Sequence, residues 1–311
     1  MSGGKRCADR RGEQHGHPFR LPLVPSRNQP FGILKHLHTR GAPGGGFLFG
    51  HPAALVFHFT AIKAHDRQRS TAASAVYIKP MCGRSTYKLT WEEIVQLYRL
   101  TLDQPAQNTR ARYNVCPTTT IDTVVSEDGK RRLVPMRWGL IPNWWSKPLK
   151  EMKLATFNAR AETVAEKPMF RSAFKRTRCL IPISGYYEWH DTPGGKQPYY
   201  FTRQNGQPIT VAGLWDEWHD KSTGEKLKSC AMVITEANKF VAEVHDRMPV
   251  ILEADDFEQW ERGDAKDAAA LMKPADEDIL QRWPVSKRVN SSRAPDDDPT
   301  LIEPAMVAKP L

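Results

Sequence analysis

The chain has 311 residues, room for one large domain or two small ones, and a formal net charge of +10 at pH 7. That excess is local: residues 1–80 hold twelve Lys or Arg against three Asp or Glu, leaving 33 basic and 32 acidic residues beyond them, so whole-chain charge does not mark a nucleic-acid binder. Five widely spaced cysteines, with no C-x-x-C pair or His cluster beside them, exclude a disulfide framework and a metal site legible from spacing.

Residues 1–80 are rich in Arg, His, Pro and Gly, contain seven of the ten histidines and lack tryptophan altogether. No helical or strand period is sustained there, so we expect a disordered or mis-assigned N-terminal extension, with a cleaved leader or a retained basic tail as alternatives. The apolar stretch 47–62 is interrupted by His51, Pro52 and His58. It is too short and polar to cross a bilayer and too far along the chain for a signal peptide. With free thiols and no export signal, a reducing cytoplasm is the expected location and no membrane partner is expected.

From Met81 the pattern changes, and residues 81–305 read as one domain with a sizeable core. Thr90-Trp91-Glu92-Glu93 predicts a capping box, followed by a helix whose apolar face is Trp91, Ile94, Leu97 and Tyr98, ending near Leu100. Strand-like runs follow: 121–125 and 131–138 around Asp128-Gly129, then 178–183, and 186–190 before Pro193-Gly194-Gly195. Residues 199–203 and 209–218 flank Asn205-Gly206, a hairpin signal, and 227–235 is a further strand. Helices are expected over 237–243 and 255–261, the second stopped by Gly263, and an extended piece over 283–290. Many short antiparallel strands with a few flanking helices predict an α+β single domain whose mainly antiparallel sheet is curled toward a barrel.

Six short runs stand out from this background. They are Met81-Cys82-Gly83-Arg84, Arg112-Tyr113-Asn114-Val115-Cys116-Pro117, Trp138-Gly139-Leu140-Ile141-Pro142-Asn143-Trp144-Trp145, Phe157-Asn158-Ala159-Arg160-Ala161-Glu162-Thr163, Gly185-Tyr186-Tyr187-Glu188-Trp189 and His245-Asp246-Arg247-Met248-Pro249. In this order, from Met81 to about Asn290, they resemble the SRAP family, the SOS-response-associated peptidases. The resemblance implies a sensor that traps abasic sites in single-stranded DNA as a covalent DNA–protein crosslink.

The chemistry of Cys82 suits that expectation. If Met81 is removed, Cys82 carries a free α-amine beside its thiol. An α-amine of ordinary pKa about 8 is partly neutral at cellular pH and attacks the aldehyde of an opened abasic sugar. The thiol then closes onto the imine carbon to give a five-membered thiazolidine. A cysteine whose nitrogen is an amide cannot close that ring.

By resemblance, Asn158 positions the sugar and the terminal cysteine, Glu188 is the acid/base carboxylate, and His245 protonates the opening sugar oxygen. Taken alone, Asn158 reads as a turn residue, Glu188 as a solvated strand residue and His245 as a structural histidine. For DNA contacts we expect Arg84, Arg160 and Arg247 at phosphates. Trp144 and Trp145 would stack on a base, and Asn114 and Pro117 belong to a loop near the lesion. Each has a structural alternative, a solvated Arg or a core Trp. Cys116 departs from the family, where a small Ala is commoner.

Two other functions compete with the sensor. One is a cysteine-type peptidase built on Cys82, His245 and Glu188 that cuts before Cys82, and the other is a non-covalent single-stranded DNA-binding module. Lyase activity through the same Schiff base is an expected side reaction. No cofactor or metal is expected, and the partners expected of this monomer are abasic single-stranded DNA and replication-fork proteins.

Overall fold

The computed structural model describes residues 82–107 and 109–306; the extension expected over residues 1–80 lies outside the described residues. In chain order the strands are β1 (Ser85–Tyr87), β2 (Arg112–Val115), β3 (Thr120–Glu127), β4 (Lys130–Trp138), β5 (Asn158–Arg160), β6 (Arg178–Ile183), β7 (Gly185–Thr192), β8 (Gly195–Arg203), β9 (Ile209–His219), β10 (Lys226–Glu236), β11 (Arg247–Pro249), β12 (Ile251–Leu252) and β13 (Leu280–Pro284). Short helices α1 (Trp91–Tyr98), α2 (Arg171–Arg176), α3 (Lys239–Ala242), α4 (Phe257–Arg262) and α5 (Ala265–Ala270) lie between them.

Five strands close a barrel in the order β10-β4-β3-β6-β9, with β9 pairing back onto β10. A closed ring with an odd number of strands cannot be antiparallel throughout. The one parallel step falls between β10 and β4, where Ser229 lies opposite Arg137 and Cys230 opposite Trp138. Closure removes the free edges that an open sheet would leave unpaired. Strand β6 is buried along its whole length and β9 over Ile209–Leu214. Strands buried on both faces read as continuous apolar runs, which is how these appear in the sequence. The fold is therefore α+β with a barrel-like, mainly antiparallel sheet, as expected.

A second, five-stranded sheet has the order β13-β8-β7-β1-β2 and is antiparallel throughout. A separate apolar cluster of Tyr187, Tyr200, Val285, Val289 and Leu301 packs on it. Gly185 sits where a Cβ would meet the Tyr200 hydroxyl at 2.3 Å and the Phe201 carbonyl at 2.5 Å, so β7 and β8 approach closely only because the side chain is missing.

The capping box forms: the Thr90 hydroxyl accepts from the Glu93 amide, and the Glu93 carboxylate accepts from the Thr90 amide. Asp128 and Gly129 turn β3 into β4 with φ of 50° and 76°, the left-handed pair that a two-residue hairpin needs. Two expectations are corrected. Asn205-Gly206 does not make a hairpin, because β8 belongs to the five-stranded sheet and β9 to the barrel. The Asn205 side chain instead accepts from the Gln207 amide, and Gly206, at φ 74°, carries the chain from one sheet to the other. The extended piece ends at Pro284, and Lys287–Asn290 forms a 3-10 turn capped by the Ser286 hydroxyl.

Candidate active site

The seam between the two sheets brings four residues together. The five-stranded sheet supplies Cys82, just before β1, and Glu188 in the middle of β7. The barrel supplies the others through one strand end. On β10, Met232 lies parallel to Asn158 of β5, and Glu236 lies opposite Arg247 of β11, two residues beyond His245. Strand alternation turns Glu188 toward the seam and its neighbours Tyr187 and Trp189 to the opposite face, against the Tyr200 and Val289 cluster.

Cys82 and Glu188 form the centre. The backbone nitrogen of Cys82 donates to Glu188 Oε1 at 2.8 Å, and its thiol donates to the same oxygen at 2.5 Å. Both residues are buried. Burial drives the Glu188 carboxyl up to about 8, opposed by the two hydrogen bonds from Cys82, while the negative charge of Asp246 reinforces the rise. Burial, followed by the neighbouring Glu188, holds the Cys82 thiol well above its ordinary value. At rest, then, the thiol keeps its proton beside a carboxyl that titrates near neutrality. Cys82 also has φ 35°, a left-handed conformation that costs a non-glycine residue on the order of 1 kcal/mol.

His245 is buried and places Nε2 4.0 Å from Glu188 Oε2. Its Nδ1 accepts the Arg247 amide at 3.1 Å and lies 3.2 Å from Asp246 Oδ1. Asn158 donates from Nδ2 to the Cys82 carbonyl at 3.4 Å. Carboxyl, imidazole and amide thus surround one thiol and one nitrogen, a set able to move protons around a carbonyl carbon. Among the described residues no group of three or more His, Cys, Asp or Glu is placed to hold a metal ion.

The residues expected at DNA divide into two kinds. Arg160 is exposed at the end of β5, and Arg247 pairs with Glu162 at the same rim. Trp144 is 51% exposed in the turn after β4, and Trp145 is half-buried beside it with ring centres 6.4 Å apart. Arg84 and Asn114 instead face the protein. Arg84 donates to Asn114 Oδ1 at 2.5 Å and to the Val289 carbonyl at 2.7 Å, and its guanidinium lies 5.8 Å from the Trp189 ring centre. Asn114 is buried and donates to the Ala294 carbonyl at 2.8 Å. Pro117 is half-buried in the turn after β2. Cys116 is a free thiol whose Sγ lies 3.5 Å from the Asn114 carbonyl, with burial raising its pKa.

Three residues at the site went unassigned in the sequence. Tyr186 lies on the same face of β7 as Glu188, and after burial, charge on Cys82 and Glu188 is what raises its phenol. The i, i+2 alternation of a strand would have found it. Glu162 anchors Arg247 and Asp246 touches His245; both lie inside the quoted motifs but carried no assignment.

The chain matches the SOS response associated peptidase (SRAP) family over residues 81–292 and belongs to it. It is 34% identical over 229 residues to the abasic site processing protein YoqW of Bacillus subtilis, covering 72% of this chain and 99% of that protein. It is also 34% identical over 212 residues to the abasic site processing protein HMCES of Xenopus tropicalis, covering 58% of this chain and 63% of that one. A crystal structure of a Bacteroides thetaiotaomicron protein superposes with a TM-score of 0.65 at 25% identity, covering 72% of this chain and all of the other.

Proposed function

We propose that this protein processes abasic sites in single-stranded DNA by forming a thiazolidine crosslink through Cys82 once Met81 has been removed. The observation that carries this reading is the convergence of the Cys82 nitrogen and thiol on one oxygen of Glu188. Those are the two atoms that must bond to the same aldehyde carbon. The similarity to proteins named for abasic site processing supports the substrate class.

The amine attacks C1′ of the opened sugar and, after loss of water, forms an imine. The thiol then adds through sulfur to the imine carbon, its proton passing to Glu188 and onward to the nitrogen. With its carboxyl titrating near 8, Glu188 changes protonation state at little cost near neutral pH. Its buried position also keeps bulk water from competing for the imine. His245 supplies the proton that opens the sugar ring, and Asn158 holds the Cys82 carbonyl so that the nitrogen faces the carboxyl. Arg160 and Arg247 line the rim for phosphates and Trp144 offers an exposed face for a base.

A second reading, hydrolysis of the bond before Cys82, draws on the strained φ at Cys82 and on its nitrogen already lying on Glu188. It would precede the crosslink and generate the free amine.

The test is a denaturing gel of protein begun at Met81 with an abasic oligonucleotide. Bacillus YoqW is covered over 99% of its length by this domain, so the domain stands alone as a whole chain there. A heat-resistant shifted band is expected with the abasic strand and absent with an intact strand. It should vanish when a Gly is inserted before Cys82. An adduct that survives the Gly insertion, or none with the abasic strand, overturns the reading.

A further inference from the structure

We propose that Asp246 is a positioning residue that puts a proton on Nδ1 of His245 and so makes Nε2 usable in the reaction. The inference rests on the proposed crosslinking chemistry for its consequence, but on geometry alone for its origin.

Two neighbours make opposite demands on Nδ1. The Arg247 amide donates to it at 3.1 Å and needs the nitrogen's lone pair, which places the ring proton of a neutral imidazole on Nε2. Asp246 Oδ1, 3.2 Å away, only accepts and needs Nδ1 to carry the proton. One nitrogen cannot satisfy both.

The two arrangements differ in what Nε2 can do. With Arg247 satisfied, Nε2 already carries the only ring proton. It cannot accept another there, and giving that one up would leave an imidazolate. Both useful forms, the imidazolium that donates from Nε2 and the neutral ring that accepts at Nε2, carry a proton on Nδ1. Asp246 is the carboxylate within reach of that proton. The two contacts thus belong to two exchanging tautomers, and the one that faces Asp246 leaves Nε2 usable.

In ring opening, Nε2–H passes its proton to the sugar ring oxygen as the bond from that oxygen to C1′ breaks. The C1′ hydroxyl gives its proton to Glu188 and becomes the aldehyde carbonyl, while Nδ1–H stays on Asp246. Among the described residues, other charged or titratable groups near the imidazole include Glu188, 4.0 Å from Nε2, the Cys82 thiol bonded to Glu188, and Arg247, which is paired with Glu162. None of these is placed to hold a proton on Nδ1. Asp246 itself is 76% exposed, so solvent weakens its charge and its main effect is on where the proton sits.

The primary test reads the ring directly. In the full chain labelled with 15N-histidine, long-range proton–nitrogen spectra report the tautomer of His245 between pH 5.5 and 8.5, its signals identified by their loss in His245→Gln. A substantial Nδ1–H population is expected in the native protein. Asp246→Ala should shift the neutral ring to Nε2–H, and Asp246→Asn, whose amide oxygen still accepts, should restore part of the Nδ1–H form. Identical tautomers in the native protein and Asp246→Ala overturn the proposal.

The second arm is adduct formation by protein begun at Met81. Asp246→Ala should slow it about tenfold at pH 7, with binding to an intact strand unchanged, and Asp246→Asn should recover most of the rate while its pH profile stays displaced. An unaltered rate and pH profile in Asp246→Ala also overturn the proposal. Absence of any adduct in the native protein would defeat the crosslinking function instead, and the tautomer spectra would then decide the role of Asp246 alone.

Discussion

The nitrogen and the sulfur of Cys82 meet at a single atom, Oε1 of Glu188, at 2.8 and 2.5 Å. Residues 106 positions apart are joined in this way because β1 and β7 are neighbours in the five-stranded sheet, with Ser85 opposite Tyr186. In the proposed crosslinking, a carboxyl so placed serves two nucleophiles with one proton-transfer centre.

The burial of Glu188 has a measurable cost at high pH. Its folded pKa, about 8, lies above the ordinary 4.5, so the folded state holds the proton more tightly than the unfolded chain does. The stability this contributes is full below pH 4.5 and is lost as pH rises through about 8. Glu188→Gln cannot titrate, and we expect its Tm relative to native protein to rise by several degrees between pH 5 and pH 9. Thermal melts at matched ionic strength check this, and a constant difference across that range would contradict it.

Cys82→Ser separates binding from ring closure. The hydroxyl retains a polar group at Glu188 but does not close a thiazolidine. Binding of intact single strands should remain within about twofold of native, borohydride should still trap a Schiff base, and the heat-stable adduct should be lost. A heat-stable adduct from the serine variant without borohydride would exclude the thiazolidine.

Arg84 and Asn114 should matter first to stability. Arg84→Ala removes charge-assisted bonds to the Asn114 amide and the Val289 carbonyl and leaves a buried amide oxygen without its donor. A loss of about 2–4 kcal/mol in urea unfolding is expected, and Arg84→Lys should rescue it only in part because one ammonium does not reproduce the planar fork. An Arg84→Ala protein of native stability would place the side chain's role elsewhere.

The two tryptophans after β4 should behave differently. Trp144→Ala removes an exposed ring and should weaken single-strand binding by about 1–3 kcal/mol with little change in Tm. Trp145 is half-buried with its ring centre 6.4 Å from that of Trp144, so Trp145→Ala removes packed ring surface and should lower Tm. Fluorescence-anisotropy titrations read alongside melts resolve the pair, and equal effects of the two substitutions on both quantities would contradict it.

Much of the fold was legible because its signals are local. The Thr90–Glu93 capping box, the Asp128-Gly129 turn and the ends of β6 depend on neighbours in the chain, and each falls where the residues indicate. Asn205-Gly206 misled because a turn signal states that the chain reverses, not which strand receives it. Strands β1, β2, β5 and β11 carried no strand signal of their own. Three or four residues long, they exist through pairing with partners distant in sequence.

By itself the sequence determined the turns, the caps, the strand alternation that sets Glu188 and Tyr186 on one face, and the motif order that marks the family. Tertiary structure decided the rest. It paired β5 and β11 with the end of β10, beyond most of the stretch that closes the ring with β9, which set Asn158 and His245 opposite Cys82 and Glu188. It turned Arg84 and Asn114 toward each other, made two demands meet at Nδ1 of His245, and buried Glu188 deeply enough to titrate near neutrality. Local patterning acts over a few residues, whereas burial and the meeting of charges depend on segments that only the closed fold brings within a few ångströms of one another.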